Sequence, residues 1–227
     1  MRSGHRRFHF LIFVLAMATL SACAQSGGTG DAARQKLDLP KPVPLVLTKD
    51  LGSGGTLVLD MNVGEVHVAR NREAHRIELK IQPERFDDEA QVAGWVRRFE
   101  VSGEHAAIDL DLPKNGDHHH SAEVTISLPA ETSLKLDLGI GEMIVDGIRG
   151  DKDLHVGIGQ LTIAVENPAE YGPVEASVKI GDVEAGGFGL VESGGFFRTV
   201  KMETRRSYRL RAHVGIGDLA LKQAGGS

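Results

Sequence analysis

Leu136-Asp137-Leu138-Gly139-Ile140-Gly141-Glu142 is one copy of a pattern that returns as Leu154-His155-Val156-Gly157-Ile158-Gly159-Gln160 and as Ala212-His213-Val214-Gly215-Ile216-Gly217-Asp218. Two looser copies centre on Gly64 and Gly181, preceded by Val63 and Ile180 and followed by Glu65 and Asp182. In every copy apolar or small residues stand one, three and five places before the aligned glycine, and apolar residues resume two and four places after it. Alternation of this kind is a β-strand signal. Its resumption at plus two rather than plus one resets the inward face across the Gly-acid pair.

Two structures reset the alternation in this way. A tight Gly-Asp hairpin sets the flanking residues opposite each other. A corner in a β-solenoid turns the chain while keeping both flanking residues inward. The spacing favours the corner: Gly141, Gly159 and Gly181 lie 18 and 22 residues apart, near one coil, and the 36 residues from Gly181 to Gly217 leave room for one degenerate coil. Units of this length cannot bury their own apolar faces and must stack. The expectation is an all-β chain, a single-stranded right-handed, β-helix-like β-solenoid, with the repeats running from about Leu134 to Leu221. Glycine is required at the corner for positive φ or close backbone approach. On this reading Ile158 and Ile180 point inward, and Ile158→Asp buries an unpaired charge at a cost of several kcal/mol.

Outward from the repeats, strands are expected at 57–59, 66–68, 77–81, 107–112 and 122–128. One short helix interrupts them near residues 87–98, capped by Asp87 or Asp88, with Val92, Trp95, Val96 and Phe99 on one face. Trp95, the sole tryptophan, reads as a core anchor rather than a ligand platform.

The first residues read as a processing signal. Arg2, Arg6 and Arg7 precede an apolar run from Phe10 to Leu20, too short to span a bilayer comfortably. Arg6-Arg7 hints at a twin-arginine signal, but His9 stands where that motif has an apolar residue, which favours general secretion. Leu20-Ser21-Ala22-Cys23 resembles the bacterial lipobox, whose cysteine is lipidated after cleavage. The domain expectation is a signal peptide at 1–22, the lipidated Cys23 with a flexible tether to 45, the β-domain at 46–222 and a disordered tail at 223–227. The tether reaches roughly 25 Å as a random coil. Ala24 after the cysteine, rather than aspartate, favours the outer membrane by the same resemblance. Removing residues 1–22 leaves 23 Lys+Arg against 31 Asp+Glu, a net charge of 23 − 31 = −8, which argues against a nucleic-acid partner.

Ala122-Glu123-Val124-Thr125-Ile126-Ser127-Leu128-Pro129-Ala130-Glu131-Thr132, followed by Leu136 to Glu142, resembles the bacterial putative-adhesin domain family, whose members carry repeated Gly-x-Gly-Asp turns. The resemblance spans residues 50–220 and implies a β-solenoid or toast-rack fold without catalytic residues. Asn62 and Lys179 depart from it, replacing the first glycine of the pair in two copies.

Candidate sites are few. Glu65, Glu142, Asp182 and Asp218 hold equivalent places; one reading is a calcium edge, the other a row of turn residues with local hydrogen bonds. His118-His119-His120 beside Asp117 reads as a transition-metal site or a solvated loop. Arg205, Arg206, Arg209 and Arg211 surround Tyr208 as a patch for anionic lipid or lipopolysaccharide phosphate, or as a plain charged exterior that discourages edge pairing. No Gly-x-Ser-x-Gly elbow, zincin pair or phosphate loop occurs, and no cofactor is expected. The functional expectation is a noncatalytic cell-envelope lipoprotein, an adhesin-like interaction or structural module with a protein or glycan partner. A polysaccharide-active β-helix enzyme and an envelope-stress accessory lipoprotein are the alternatives.

Overall fold

A computed structural model describes residues 42–73, 75–83, 89–113, 122–190 and 197–225. The expected signal peptide, Cys23, Asp87, Asp88, Asp117 and the three histidines at 118–120 lie outside these residues. The elements in chain order are β1 (Leu45–Asp50), β2 (Thr56–Arg70), β3 (Arg76–Pro83), α1 (Glu89–Gly94), β4 (Val96–Ser102), β5 (His105–Leu110), β6 (Ala122–Leu128) and β7 (Ser133–Asp146). They continue as β8 (Lys152–Val165), β9 (Tyr171–Ile180), β10 (Val183–Glu184), β11 (Arg198–Met202) and β12 (Tyr208–Gln223). Among the described residues the fold is all-β with one small α-helix. Its sheet is mixed and open, with parallel pairing in the middle and antiparallel strands β1, β3 and β11 toward the ends.

The register shows how the repeats are built. β7 and β8 pair in parallel from Leu134↔Lys152 to Asp146↔Ala164, although only residues 147–151 join them. A straight strand from Leu134 to Asp146 would be roughly 40 Å long. The link from Asp146 to Lys152 spans at most about 21 Å, too little to return to the start of the neighbouring strand. Each strand must therefore fold back on itself, and it does so at the glycine, where φ is +140° at Gly141 and +139° at Gly159. A hairpin is ruled out, because both legs of each strand pair in parallel with the matching legs of the next.

Inward positions follow the repeat. Leu136 and Leu138 before the bend, and Met143 and Val145 after it, are buried, as are Leu154, Val156, Leu161 and Ile163 in the next strand. The residue just before the glycine does not. Ile158 and Ile180 point outward, 47% and 54% exposed, which corrects the inward expectation. The chain turns toward the core here, so the inner side of the corner is filled by the side chains three before and two after it. The residue at the vertex stands on the convex side.

Two further expectations are corrected. Among the described residues no degenerate coil separates Gly181 from Gly217: β12 inserts between β8 and β9 and pairs in parallel with both, so the order in space is Gly64, Gly141, Gly159, Gly217, Gly181. The helix is only six residues long and buries Val92. Val96 and Phe99 belong to β4, which forms a hairpin with β5 through Gly103, a glycine at φ +60°. Pairing with β5 outweighs a helical spacing that three-dimensional contacts do not support. Trp95, at the junction, is half-buried against the core.

β2 branches the sheet. Its first leg pairs with β5 and its second with β6, both in parallel. Thus β5 and β6 line the two legs of β2 as one more layer.

Candidate interaction surface

The glycines are a close-packing device. A methyl group on Gly141, Gly159, Gly217 or Gly181 would lie 1.8 Å from the carbonyl oxygen of the neighbouring glycine in the row. The first glycine of each pair is as constrained, since a Cβ on Gly139, Gly157 or Gly215 would meet a backbone oxygen at 2.4, 2.5 and 2.4 Å. Both departures from Gly-x-Gly fall on the end strands of the row. Asn62, on β2, uses its side chain as a substitute strand: its Oδ1 accepts from Leu112 N at 2.9 Å and its Nδ2 donates to Leu112 O at 2.9 Å. Lys179 stands on β9 at the other end.

With these corners in register, chemically alike side chains from successive strands form ladders on the outside. The most exposed apolar one is Val63–Ile140–Ile158–Ile216–Ile180. Its isoleucines are 44, 47, 46 and 54% exposed in that order, and Val63 is half-buried. Together they leave open about as much surface as two wholly exposed isoleucines, arranged contiguously. Scattered exposed apolar residues are ordinary, and a contiguous row with a polar rim is a candidate interaction site.

Polar ladders border it. Three residues before each ladder position stand Asp60, Asp137, His155, His213 and Ser177, in the same spatial order. His155 Nδ1 and Asp137 Oδ2 are 3.0 Å apart, the two imidazoles stack with centroids at 5.4 Å and planes within 4°, and His213 Nδ1 lies 3.0 Å from Ser177 Oγ. Desolvation, then the neighbouring His155 and Lys179, hold the His213 pKa below its ordinary value. Two residues after the ladder lie Glu65, Glu142, Gln160, Asp218 and Asp182.

This last row contains the carboxylates considered for calcium. Glu65 is beside Glu142 and Asp218 beside Asp182, with Gln160 between the pairs. Asp218 Oδ1 accepts from the Asp182 amide at 3.2 Å, and Asp182 forms an ion pair with Arg198 at 2.7 Å. Among the described residues no three His, Asp or Glu side chains are grouped as a metal ion would require.

The arginine group is divided. Arg205 and Arg206 are exposed in the segment before β12, while Arg209 and Arg211 lie on the outer face of β12. Arg209 faces Asp151 at 3.6 Å, and its backbone amide donates to the same carboxylate. Arg211 faces Glu175 at 4.0 Å within a cross-strand row, Lys135–Asp153–Arg211–Glu175–Lys201, that alternates in sign. Such alternation stabilises a sheet surface by small increments.

One buried cation was not foreseen. Lys152 takes an inward place between Leu134 and Leu210, 1% exposed, and its Nζ donates to Ile148 O, Gly150 O and Tyr171 Oη at 2.7, 3.2 and 2.6 Å. Three acceptors thus meet three donors and tie the 147–151 turn to the core. Burial pushes its pKa down to about 7, opposed by the nearby Asp151. The same burial raises the Tyr171 phenol well above its ordinary value.

No family model matches the chain, and no curated protein does. Solved structures similar to it include a putative cell adhesion protein from Clostridium sporogenes, 17% identical, covering 80% of this chain and 100% of that one with a TM-score of 0.49. A putative adhesin from Bacteroides fragilis is 9% identical over 80% of this chain and 98% of its own, with a TM-score of 0.31. Another from Parabacteroides distasonis is 8% identical over 79% and 70%, with a TM-score of 0.27. At these similarities the functional reading rests on the chain's own surface.

Proposed function

We propose that the protein is a noncatalytic, adhesin-like interaction module of the bacterial cell envelope, built on β-solenoid coils and carried on a lipid anchor at Cys23. The observation that carries the interaction reading is the exposed isoleucine ladder. Four stacked half-exposed isoleucines offer contiguous apolar area whose burial a partner can gain. The backbone beneath is fixed by the glycine row, so the ladder is preorganised and loses little freedom on binding. The lipobox resemblance at Leu20–Cys23 supports the address.

Affinity capture of the whole protein from native membranes tests the module. A stoichiometric partner retained by the wild type and lost on Ile158→Ser with Ile216→Ser is the expected outcome. Equal recovery by both forms overturns the role of the ladder, and glycan turnover abolished at outward carboxylates would replace the module with an enzyme. Fatty-acid labelling of the wild type but not of Cys23→Ser is the outcome expected of the anchor.

A further inference from the structure

We propose that the isoleucine ladder receives an amphipathic helix of a partner polypeptide with basic residues beside its apolar seam. This rests on the interaction-module reading and names its partner class.

Spacing selects the helix. Adjacent rungs of the ladder are one inter-strand step apart, about 4.8 Å, so five rungs from Val63 to Ile180 span roughly 19 Å. An apolar seam on a helix recurs every 3.5 residues on average, about 5.3 Å, and drifts from the ladder by only about 2 Å over that length. Alternate side chains of an extended strand recur at about 6.7 Å and fall a full rung out of step. A helix lying along the ladder therefore keeps its apolar side chains nearly in step with the isoleucines, and a strand does not.

Charge selects a basic partner. At the β2–β7 end the apolar row runs between Asp60 and Asp137 on one side and Glu65 and Glu142 on the other. Among the described residues none of these four carboxylates is matched by a lysine or arginine in the ion pairs above, and Asp137 pairs with His155. The rim approaches neutrality toward β9, where Lys179 is exposed and Arg198 pairs with Asp182. A helix would thus lie with its most basic turn over β2 and β7. The same charges disfavour the other occupants. Two copies meeting ladder to ladder bring Glu142 against Asp218 when the ladders run oppositely, or Asp137 against Glu142 when they run alike. An anionic bilayer meets the same repulsion.

Synthetic labelled helices of about 14 residues, long enough to span the ladder, test this by fluorescence anisotropy against the whole chain. Three share one leucine seam and carry lysine, glutamine or glutamate on the flanks. The lysine peptide is expected to bind most tightly. Ile158→Ser with Ile216→Ser should weaken it about tenfold, as expected for loss of two contact side chains. Glu65→Gln with Glu142→Gln should weaken the lysine peptide, reduce its salt dependence and leave the glutamine peptide unchanged. Equal binding of the lysine peptide to wild type and the serine variant, or glutamate and lysine peptides binding alike, overturns the proposal. Failure of all three peptides while membrane capture remains dependent on Ile158 and Ile216 overturns the helix and leaves the module standing. Failure of both removes the module as well.

Discussion

Gly159→Ala should damage the fold more than its single methyl group suggests. Gly159 is in the centre of the glycine row, at φ +139°, with the Gly141 carbonyl oxygen 1.8 Å from where a Cβ would stand. An ordinary carbon–oxygen contact is about 3.3 Å or longer, so β7 and β8 must separate locally by roughly 1.5 Å. A ladder hydrogen bond stretched that far is lost, at about 1 kcal/mol each for the two or three nearest the bend. An L-residue held at this φ adds about 1–3 kcal/mol. The total is about 3–6 kcal/mol, a large part of the roughly 5–15 kcal/mol that holds a domain together. Denaturant unfolding followed by the fluorescence of Trp95, the single tryptophan, measures the loss. Gly94→Ala is the control, with nothing within 4 Å of its new methyl group and no positive φ. It should be neutral or stabilising by up to about 1 kcal/mol. A loss below about 1 kcal/mol for Gly159→Ala would refute the close-packing account.

Ile158→Asp should cost no more than about 1 kcal/mol, because the side chain is half outside, whereas Val156→Asp two residues earlier buries a charge and should cost more than about 4 kcal/mol in the same unfolding assay. The pKa of Lys152 is lowered to about 7 in the folded chain. Between that pH and its unfolded value near 10.4 the unfolded state holds the extra proton, so stability contributed at this site rises with pH through that window and is at its minimum below it. Urea titrations at a series of alkaline pH values should show wild type gaining up to about 1.4 kcal/mol per pH unit relative to Lys152→Met, and a constant difference would contradict the buried-amine assignment. Asn62→Ala should leave the Leu112 amide and carbonyl without their side-chain partners, lowering stability by about 1–2 kcal/mol, with faster hydrogen exchange at the Leu112 amide as the local readout.

The repeat alone determines much of this molecule. Residues at minus five, minus three, plus two and plus four are inward because alternation is a local property of extended backbone, and the corners fall at glycine because φ is a property of one residue. The polar ladder was not foreseen, although Asp60, Asp137, His155 and His213 stand in one column of the repeat. Tertiary structure decided the rest. Whether Ile158 faces in or out depends on which side of the bend the core occupies, and that is set by two legs meeting in space rather than by either sequence. β12 lies between β8 and β9 because it matches both, a choice among non-local partners that spacing along the chain does not encode. Val96 and Phe99 share a helical spacing with Val92 and still pair as strand, since β5 offers backbone partners that a short helix lacks. Lys152 occupies a leucine position because three oxygens converge there only after the chain has folded.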